Sequence, residues 1–537
     1  MNSIITENIL KKRFYFKVSD FIDIDYDFVN ILEKFNIEKY TDHYILFPYS
    51  INTDTRVFSE NLNLIDILNK SSLKFIKIFI CIKGENFDSH NFINDILKKD
   101  IDLVIIEDNF YKQNQQQILN LFKVYNKAFI VVSNSVKYLG LISRIFIKKI
   151  KQDNDIRIIG ITGSAGKTTT KNLLFNLLSF FFNEKVVASK KSFNNEIGVP
   201  FTIFSINKDT QYLILEMGMR GFNQIEYLAN ISDIDYGIIT SIGPAHILQV
   251  GNITGVNKAK GELIEYLIKN NKNFFILPKE YKIKEHIKNT NSIILPNKNY
   301  YIFKYNIINQ ENKFLTTFYL KFGKILKKFE IKTILSKGIL RNFLMALVFI
   351  NKLINLNLET KEKIKEKLIL DLFNFIENDL FNQATEENRF NFKIKNNLFI
   401  LDDCYNSNPL SMKENLNVIY KLINYFDKAY LVIGDMLELG KFSKFYHKLI
   451  FNKIYNILET NKNKVEAILV GSEFKKIKYN INNNYIKHFE NVDNLLEYIT
   501  LNLKKELNYF NKKILIDIKA SRAIQLEKVV NLILNEL

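Results

Sequence analysis

At 537 residues the chain is longer than one hydrophobic core can serve, and two to four domains are expected. Its composition, 47% apolar and 25% charged, is that of an ordinary soluble protein, and no run of roughly 18 apolar residues offers a membrane span. Two cysteines, Cys81 and Cys404, exclude a disulfide framework, and a net charge of +18 scattered through Asn- and Ile-rich stretches, rather than gathered on one helix or arm, argues against a nucleic-acid partner.

The N-terminus, MNSIITENILKKRF, lacks the apolar stretch and small-residue cleavage site of a signal peptide, so a cytoplasmic protein is expected. Over residues 1–150, short strands (KIFICIKG, DLVIIED, AFIVVSN) mix with helical segments. At Arg157 the run RIIGIT opens a second unit, in which YLILEMG, YGIITSIG and FFILP alternate with amphipathic stretches. That alternation predicts an α/β domain with a largely parallel sheet. A helical region near 340–378 follows, and then a second α/β series with LFILDD, AYLVIGD, EAILVGS and ILIDIKAS as strands. The expected fold class is therefore α/β, with domains at 1–150, 151–377 and 378–537.

Between the strand RIIGIT and an amphipathic helix lies Gly163-Ser164-Ala165-Gly166-Lys167-Thr168-Thr169. Glycines let backbone N–H groups turn toward a polyphosphate, and the helix start adds its positive dipole end. A lysine neutralises terminal phosphates, and the following hydroxyl can ligate Mg²⁺. A plain glycine turn with a surface lysine has the same letters, but the strand before and the helix after favour a nucleotide loop. It is the short form GxxGKTT, with Ile161 where the ordinary P-loop has glycine, which disfavours a GTPase or kinase. Glu216 ends the strand YLILE, where a buried acid needs a donor or cation, and His246 follows the strand end YGIITS. Both suit a cation bridging to ATP, although a single histidine is more often structural. Lys260, in NKAKGEL, falls on the next helix as one lysine among many.

These residues resemble the Mur ligase family. GITGSAGKTTTK looks like its ATP loop, and KSFNNEIGVP, with Asn194 and Asn195, is similar to its NNxxGxP segment. EMGMRGFNQI, SIGPAHI and NKAKGE follow in the family's order, then LDDCYNSNPLSM at 401–412, VIGDMLELG at 432–440 and KASR at 519–522. TDTR at 53–56 and FICIKGENFDSH at 79–90 resemble the UDP-substrate domain. The DDxYNxNPxSM and GDMLELG pair favours the branch that adds D-alanyl-D-alanine.

The resemblance implies an N-terminal UDP-substrate domain, a central P-loop-type ATPase domain and a C-terminal Rossmann-like domain. It implies ATP and Mg²⁺ as cofactors, with UDP-N-acetylmuramoyl-tripeptide and D-alanyl-D-alanine joined through an acyl phosphate. By matching position, Gly163 to Thr169 and Asn195 would contact ATP, as would Asn342 in GILRNFLMA, Arg389 in EENRF, and Asp403, Tyr405 and Asn406. Thr168, Glu216 and His246 would hold metal, joined by Lys260 as a carbamoylated lysine, while Thr55, Arg56 and His90 would lie near the UDP moiety. Ser89, Cys404 and Ala520 depart from the family pattern, and the stretch between Arg56 and Phe79 is longer than usual. A monomer is expected. Another Mur-type ligase, a folylpolyglutamate-synthase-like ligase and a nonenzymatic nucleotide switch are the competing readings.

Overall fold

The computed structural model describes residues 11–22, 31–54, 65, 69, 73–85, 87–272, 274–282, 290, 292–310, 313–357, 362–384, 388–477, 485–503 and 512–536. It divides into two compact units, one of Met1–Gly160, Phe182–Met217 and Glu226–Tyr236, the other of Ile161–Phe181, Gly218–Ile225 and Gly237–Leu537.

In the first unit, β1 (Tyr15–Lys17) pairs antiparallel with β3 (Tyr44–Leu46). A five-stranded sheet is built from β2 (Ile31–Phe35), β4 (Ile51–Asn52), β5 (Ile78–Ile80), β6 (Leu103–Glu107) and β7 (Ala128–Val132), in the order β2-β7-β6-β5-β4. All its pairs are parallel except β2 with β7. Side chains alternate across a strand, so Phe79, Val104, Ile106, Phe129 and Val131 share one face. There they pack with Tyr111, Ile118 and Phe122 from the helix Asp108–Tyr125.

The central sheet comprises β8 (Arg157–Thr162), β9 (Val186–Ala188), β10 (Tyr212–Glu216), β11 (Tyr236–Ile239), β12 (Phe275–Pro278) and β13 (Ile293–Leu295). Its order is β13-β12-β11-β8-β10-β9, and the division between the two units crosses β8 and β11. The chain starts at β8, crosses to the edge strand β9, returns to β10 beside β8, and then runs through β11 and β12 to β13 on the other side. Beside β8 the winding direction reverses, and the carboxyl end of a strand at such a switch point is where open α/β sheets bind ligands.

In the second unit, β14 (Tyr300–Gln310), β15 (Lys313–Phe322) and β16 (Ile325–Ile331) form an antiparallel sheet. This sheet is not among the elements expected from the sequence, although KFLTTFYLKF carries the two-residue period, with Phe314, Thr316, Phe318 and Leu320 buried. The helices Lys337–Asn357 and Glu362–Phe375 match the expected helical region. The last sheet runs β17 (Asn391–Lys395), β18 (Leu398–Asp403), β19 (Lys428–Gly434), β20 (Val465–Val470), β21 (Ile486–Phe489) and β22 (Ile514–Lys519), ordered β17-β18-β22-β19-β20-β21. It is parallel except for the β17–β18 hairpin. Both faces are covered: Leu401, Ile433, Leu469 and Leu515 point into one apolar cluster, and Ile400, Val432, Ile468, Ile516 and Ile518 into the other. Near-continuous apolar runs are what such two-sided burial requires.

The alternation also sets Asp517 on the face of Leu515, fully buried, where Asn415 Nδ2 donates to its Oδ1 at 2.9 Å. Burial is the main cause that raises its carboxyl from 3.8 to about 7, with Asp403 adding to it. A carboxyl raised on folding binds its proton in the native state while the unfolded chain has released it, so stability falls as pH rises from about 4 to about 7. Urea melts at pH 5 and pH 8 should therefore differ by up to about 2.5 kcal/mol more in the wild type than in Asp517→Asn, other groups being common to both. An unchanged difference would mean that Asp517 is ionised throughout.

Candidate active site

The loop after β8 is stitched to the segment after β11. Ser164 N–H donates to Ser241 O at 2.9 Å, and Ala165 N–H to Ser241 Oγ at 2.9 Å. Thr240 Oγ1 and Ser241 Oγ donate to Ala165 O at 2.6 and 2.9 Å, and Ser164 Oγ donates to Gly243 O at 2.9 Å. So dense a bracing holds an irregular turn in one shape. The helix Lys167–Phe182 starts directly after it, and its first-turn N–H groups have no partner within the helix. Thr168 is buried, and Lys167 is half-buried with Nζ donating to Gly163 O at 2.9 Å, rather than facing open solvent as a bare surface lysine would.

Gly166 has φ +85, and a Cβ there would overlap the carboxamide of Asn342, which the helix Lys337–Asn357 carries against the loop. Alanine at 166 is strained twice over, so Gly166→Ala should cost roughly 1–3 kcal/mol in urea unfolding and weaken nucleotide binding with it. Wild-type nucleotide affinity in that variant would show the loop to be more pliable than its bracing suggests.

Lys260 lies on the helix Ile253–Lys269 with 1% of its surface exposed. Burial, and secondarily the nearby Lys167 cation, push its amine well below the usual lysine range, while Glu262 pulls the other way. An amine so placed gives up its proton more readily than an ordinary lysine, which makes it the better nucleophile. His246 adopts φ +56 after β11, and its Nδ1 lies 2.5 Å from Oε2 of Glu438.

From the C-terminal sheet, Asp403 and Lys519 are paired in register at the carboxyl ends of β18 and β22. Lys519 Nζ reaches Asp403 Oδ2 and donates to Asn406 O at 3.2 Å, while Phe390 N–H donates to Asp403 Oδ1 at 3.0 Å. Burial pushes the Asp403 carboxyl up, and Lys519 pulls it back. The Arg389 guanidinium lies 3.8 Å over the Tyr405 ring, with Arg522 5.4 Å from the same ring. Asn408 caps the helix Pro409–Leu422 through Oδ1 while its Nδ2 donates to Ser164 O at 3.1 Å, tying the C-terminal block to the loop. Sequence reading did not single out Asn408 or Glu438. Both stand inside the matched blocks, but their partners are distant in sequence.

In the first unit, Glu216 is buried and finds its donor in Asn194, whose Nδ2 lies 2.8 Å from Oε1. Asn195 Oδ1 accepts Gly198 N–H at 2.8 Å and so starts the helix Gly198–Phe204. His90 is 1% exposed; its Nδ1 is 2.7 Å from Asp88 Oδ1 and its Nε2 accepts Glu107 N–H at 3.1 Å, which leaves no ring nitrogen for a uridine. Thr55 and Arg56 lie outside the described residues.

The departures from the family pattern have local accommodations. Ser89 Oγ donates to Ile82 O at 3.0 Å and accepts Ile82 N–H at 2.6 Å, closing its own turn. Cys404 Sγ donates to Asp402 Oδ1 at 3.0 Å. Ala520 Cβ fills the space that a Cβ on Gly434 would need, so glycine and alanine are complementary there.

Among the described residues no three His, Cys, Asp or Glu side chains gather into a metal cluster. Mg²⁺ takes one or two protein oxygens and completes its shell with water and substrate phosphates. The buried Thr168 hydroxyl and Glu216 carboxylate are donors of that hard kind. No helix among the described residues is long and apolar enough to cross a membrane.

The Mur ligase middle domain matches residues 161–350. The chain is 31% identical over 494 residues, 91% of its length and 93% of the relative's, to the UDP-N-acetylmuramoyl-tripeptide–D-alanyl-D-alanine ligase of Buchnera aphidicola subsp. Baizongia pistaciae. Its fold is similar to the crystal structure of MurF from Acinetobacter baumannii, with a TM-score of 0.67 at 21% identity over 90% of this chain and 92% of that one. It is also similar to the MurF ligase of Thermotoga maritima in complex with ADP, with a TM-score of 0.64 at 22% identity over 85% of this chain and 93% of that one. With its braced phosphate-type loop at a switch point and a relative matched over nearly its whole length, the chain belongs to the Mur ligase family.

Proposed function

We propose that the chain is the ATP-dependent ligase that joins D-alanyl-D-alanine to UDP-N-acetylmuramoyl-tripeptide, giving the pentapeptide precursor of peptidoglycan. The observation that carries this reading is Asn408, which lies in the block DDCYNSNPLSM that distinguishes this branch and donates to the loop carbonyl of Ser164 at 3.1 Å. The domains are 1–150 for the UDP substrate, 151–377 for ATP and 378–537 for the second substrate, in a cytoplasmic monomer.

The tripeptide carboxylate attacks the γ-phosphorus of ATP, ADP departs, and an acyl phosphate forms. The dipeptide amine then adds to the acyl carbon, the tetrahedral intermediate collapses, inorganic phosphate leaves, and the amine proton passes to solvent or a base. Catalysis of this kind is largely positioning and charge stabilisation. Lys167 leaves the Gly163 carbonyl to neutralise the transferring phosphoryl oxygens, and the N–H groups of Gly166, Lys167 and Thr168 face the phosphates. Ser164, Ala165, Thr169, Asn195, Asn342, Arg389, Asp403, Tyr405 and Asn406 frame the nucleotide. When bound, Mg²⁺ would supply charge neutralisation at the phosphates, and Thr168, Glu216, His246 and a carbamoylated Lys260 would be the residues to hold it. For Lys260 this requires the neutral amine to add CO₂ with loss of one proton, giving a carbamate whose oxygens replace a cation. By their match to the family's blocks, Thr55, Arg56 and His90 would lie near the UDP moiety.

The test is phosphate release from ATP with UDP-muramoyl-tripeptide, with and without D-alanyl-D-alanine. Release that requires both, with a pentapeptide product by mass, supports the reading. Turnover only with another acyl substrate or amine keeps the ligase and discards this pair, and no turnover in any combination favours a nucleotide switch.

A further inference from the structure

The turn after β11 and the loop after β19 meet at two residues that adopt left-handed backbone without being glycine, His246 at φ +56 and Glu438 at φ +63. Such conformations are disfavoured for side-chain-bearing residues and persist where surrounding contacts hold them. Here Leu248 N–H donates to Glu438 O at 3.0 Å, and Gly440 packs against Leu248. The other end of the loop is anchored by Asp435, whose carboxylate accepts Glu473 N–H at 2.8 Å and Phe474 N–H at 3.0 Å. Glu438 therefore projects from a braced segment.

Its Oε2 lies 2.5 Å from His246 Nδ1. Two lone pairs repel at that separation, so a proton sits on Nδ1, which leaves Nε2 as the ring nitrogen for a ligand. An exposed ion pair would contribute little by itself, and would not need two strained backbones to bring it together.

We infer that Glu438 is a positioning residue for His246: it fixes the tautomer and direction of the ring so that Nε2 is presented as the ligand atom. The inference rests on the reading of His246 as a metal ligand. It makes the cation's affinity depend on a loop of the C-terminal domain, as carboxylates behind ligating histidines do elsewhere.

The experiment is Mn²⁺ titration of the full chain with a non-hydrolysable ATP analogue, followed by the free-Mn²⁺ electron paramagnetic resonance signal, alongside the Mg²⁺ dependence of turnover. The variants are Glu438→Gln, Glu438→Asn and His246→Ala. Asn tolerates the left-handed backbone yet is too short to reach the ring, so weaker binding in it does not report strain. Glu438→Asn should weaken Mn²⁺ about tenfold and raise the Mg²⁺ needed for half-maximal turnover in step, with kcat at saturating Mg²⁺ nearly kept. Glu438→Gln, which retains an acceptor, should recover most of the loss. If His246→Ala weakens Mn²⁺ but Glu438→Asn does not, the positioning role is overturned and the ligand reading stands. If His246→Ala binds Mn²⁺ as the wild type does, the ligand reading fails and the inference fails with it.

Discussion

Lys167→Ala is expected to lower turnover at least about a thousand-fold while leaving the fold standing. The amine lies four residues after the carbonyl it bonds, at the start of a helix, and is half-buried. A partly solvated hydrogen bond of this kind contributes about 1 kcal/mol, so the urea midpoint should move little. Charge stabilisation of a transferring phosphoryl group, by contrast, is worth several kcal/mol in a site closed to water. Losing it should lower kcat more than it raises KM for ATP, because the charge matters most in the transition state. The measurement is steady-state phosphate release with a parallel melt. A variant that keeps turnover within tenfold would remove Lys167 from the phosphate-handling role.

Lys260 should yield the second large effect, with activity and stability moving in opposite directions. The side chain is buried, and its amine is held well below the ordinary range by burial and by Lys167. A lysine whose amine is depressed on folding binds fewer protons in the native state than in the unfolded one. Stability tied to it therefore rises with pH through the folded value toward 10.5, and the group is a liability at neutral pH. Lys260→Met, of similar length and apolar, should unfold at higher urea than the wild type at pH 7 and be nearly inactive. Lys260→Ala should be inactive too, and small carboxylic acids such as acetate or propionate should restore part of its turnover by supplying the missing carboxylate. If Lys260→Met is active, the buried lysine serves packing alone. If no acid restores the alanine variant, the carbamate has no support, though the buried amine keeps its stability effect. Lys167→Ala bears on the same point, since removing that cation should ease protonation of Lys260 and blunt CO₂ addition.

Much of this was legible in the sequence because it is local. RIIGIT before GSAGKTTT fixes strand, turn and helix through backbone sterics and hydrophobic period within one short stretch. The strands LFILDD, AYLVIGD, EAILVGS and ILIDIKAS announce themselves as continuous apolar runs because both faces of their sheet are covered. The antiparallel sheet over 300–331 escaped because its strands are half exposed and interleaved with lysines, which dilutes the alternation.

What the sequence could not decide is what depends on pairing between distant segments. Lys260 reads as one lysine among many until the fold buries it, and only then does desolvation change its chemistry. How the His90 ring is held is equally invisible until the fold brings Asp88 and the Glu107 N–H to its two nitrogens. Asn408 meets the Ser164 carbonyl and Glu438 meets His246 across 244 and 192 residues, because β11 and β19 end beside the same loop cluster. Residue types, periods and turn chemistry set the elements and the phosphate loop. Burial and long-range register, which are properties of the packed chain alone, decide which ionisable groups are neutral, which are paired and which are left to meet a ligand.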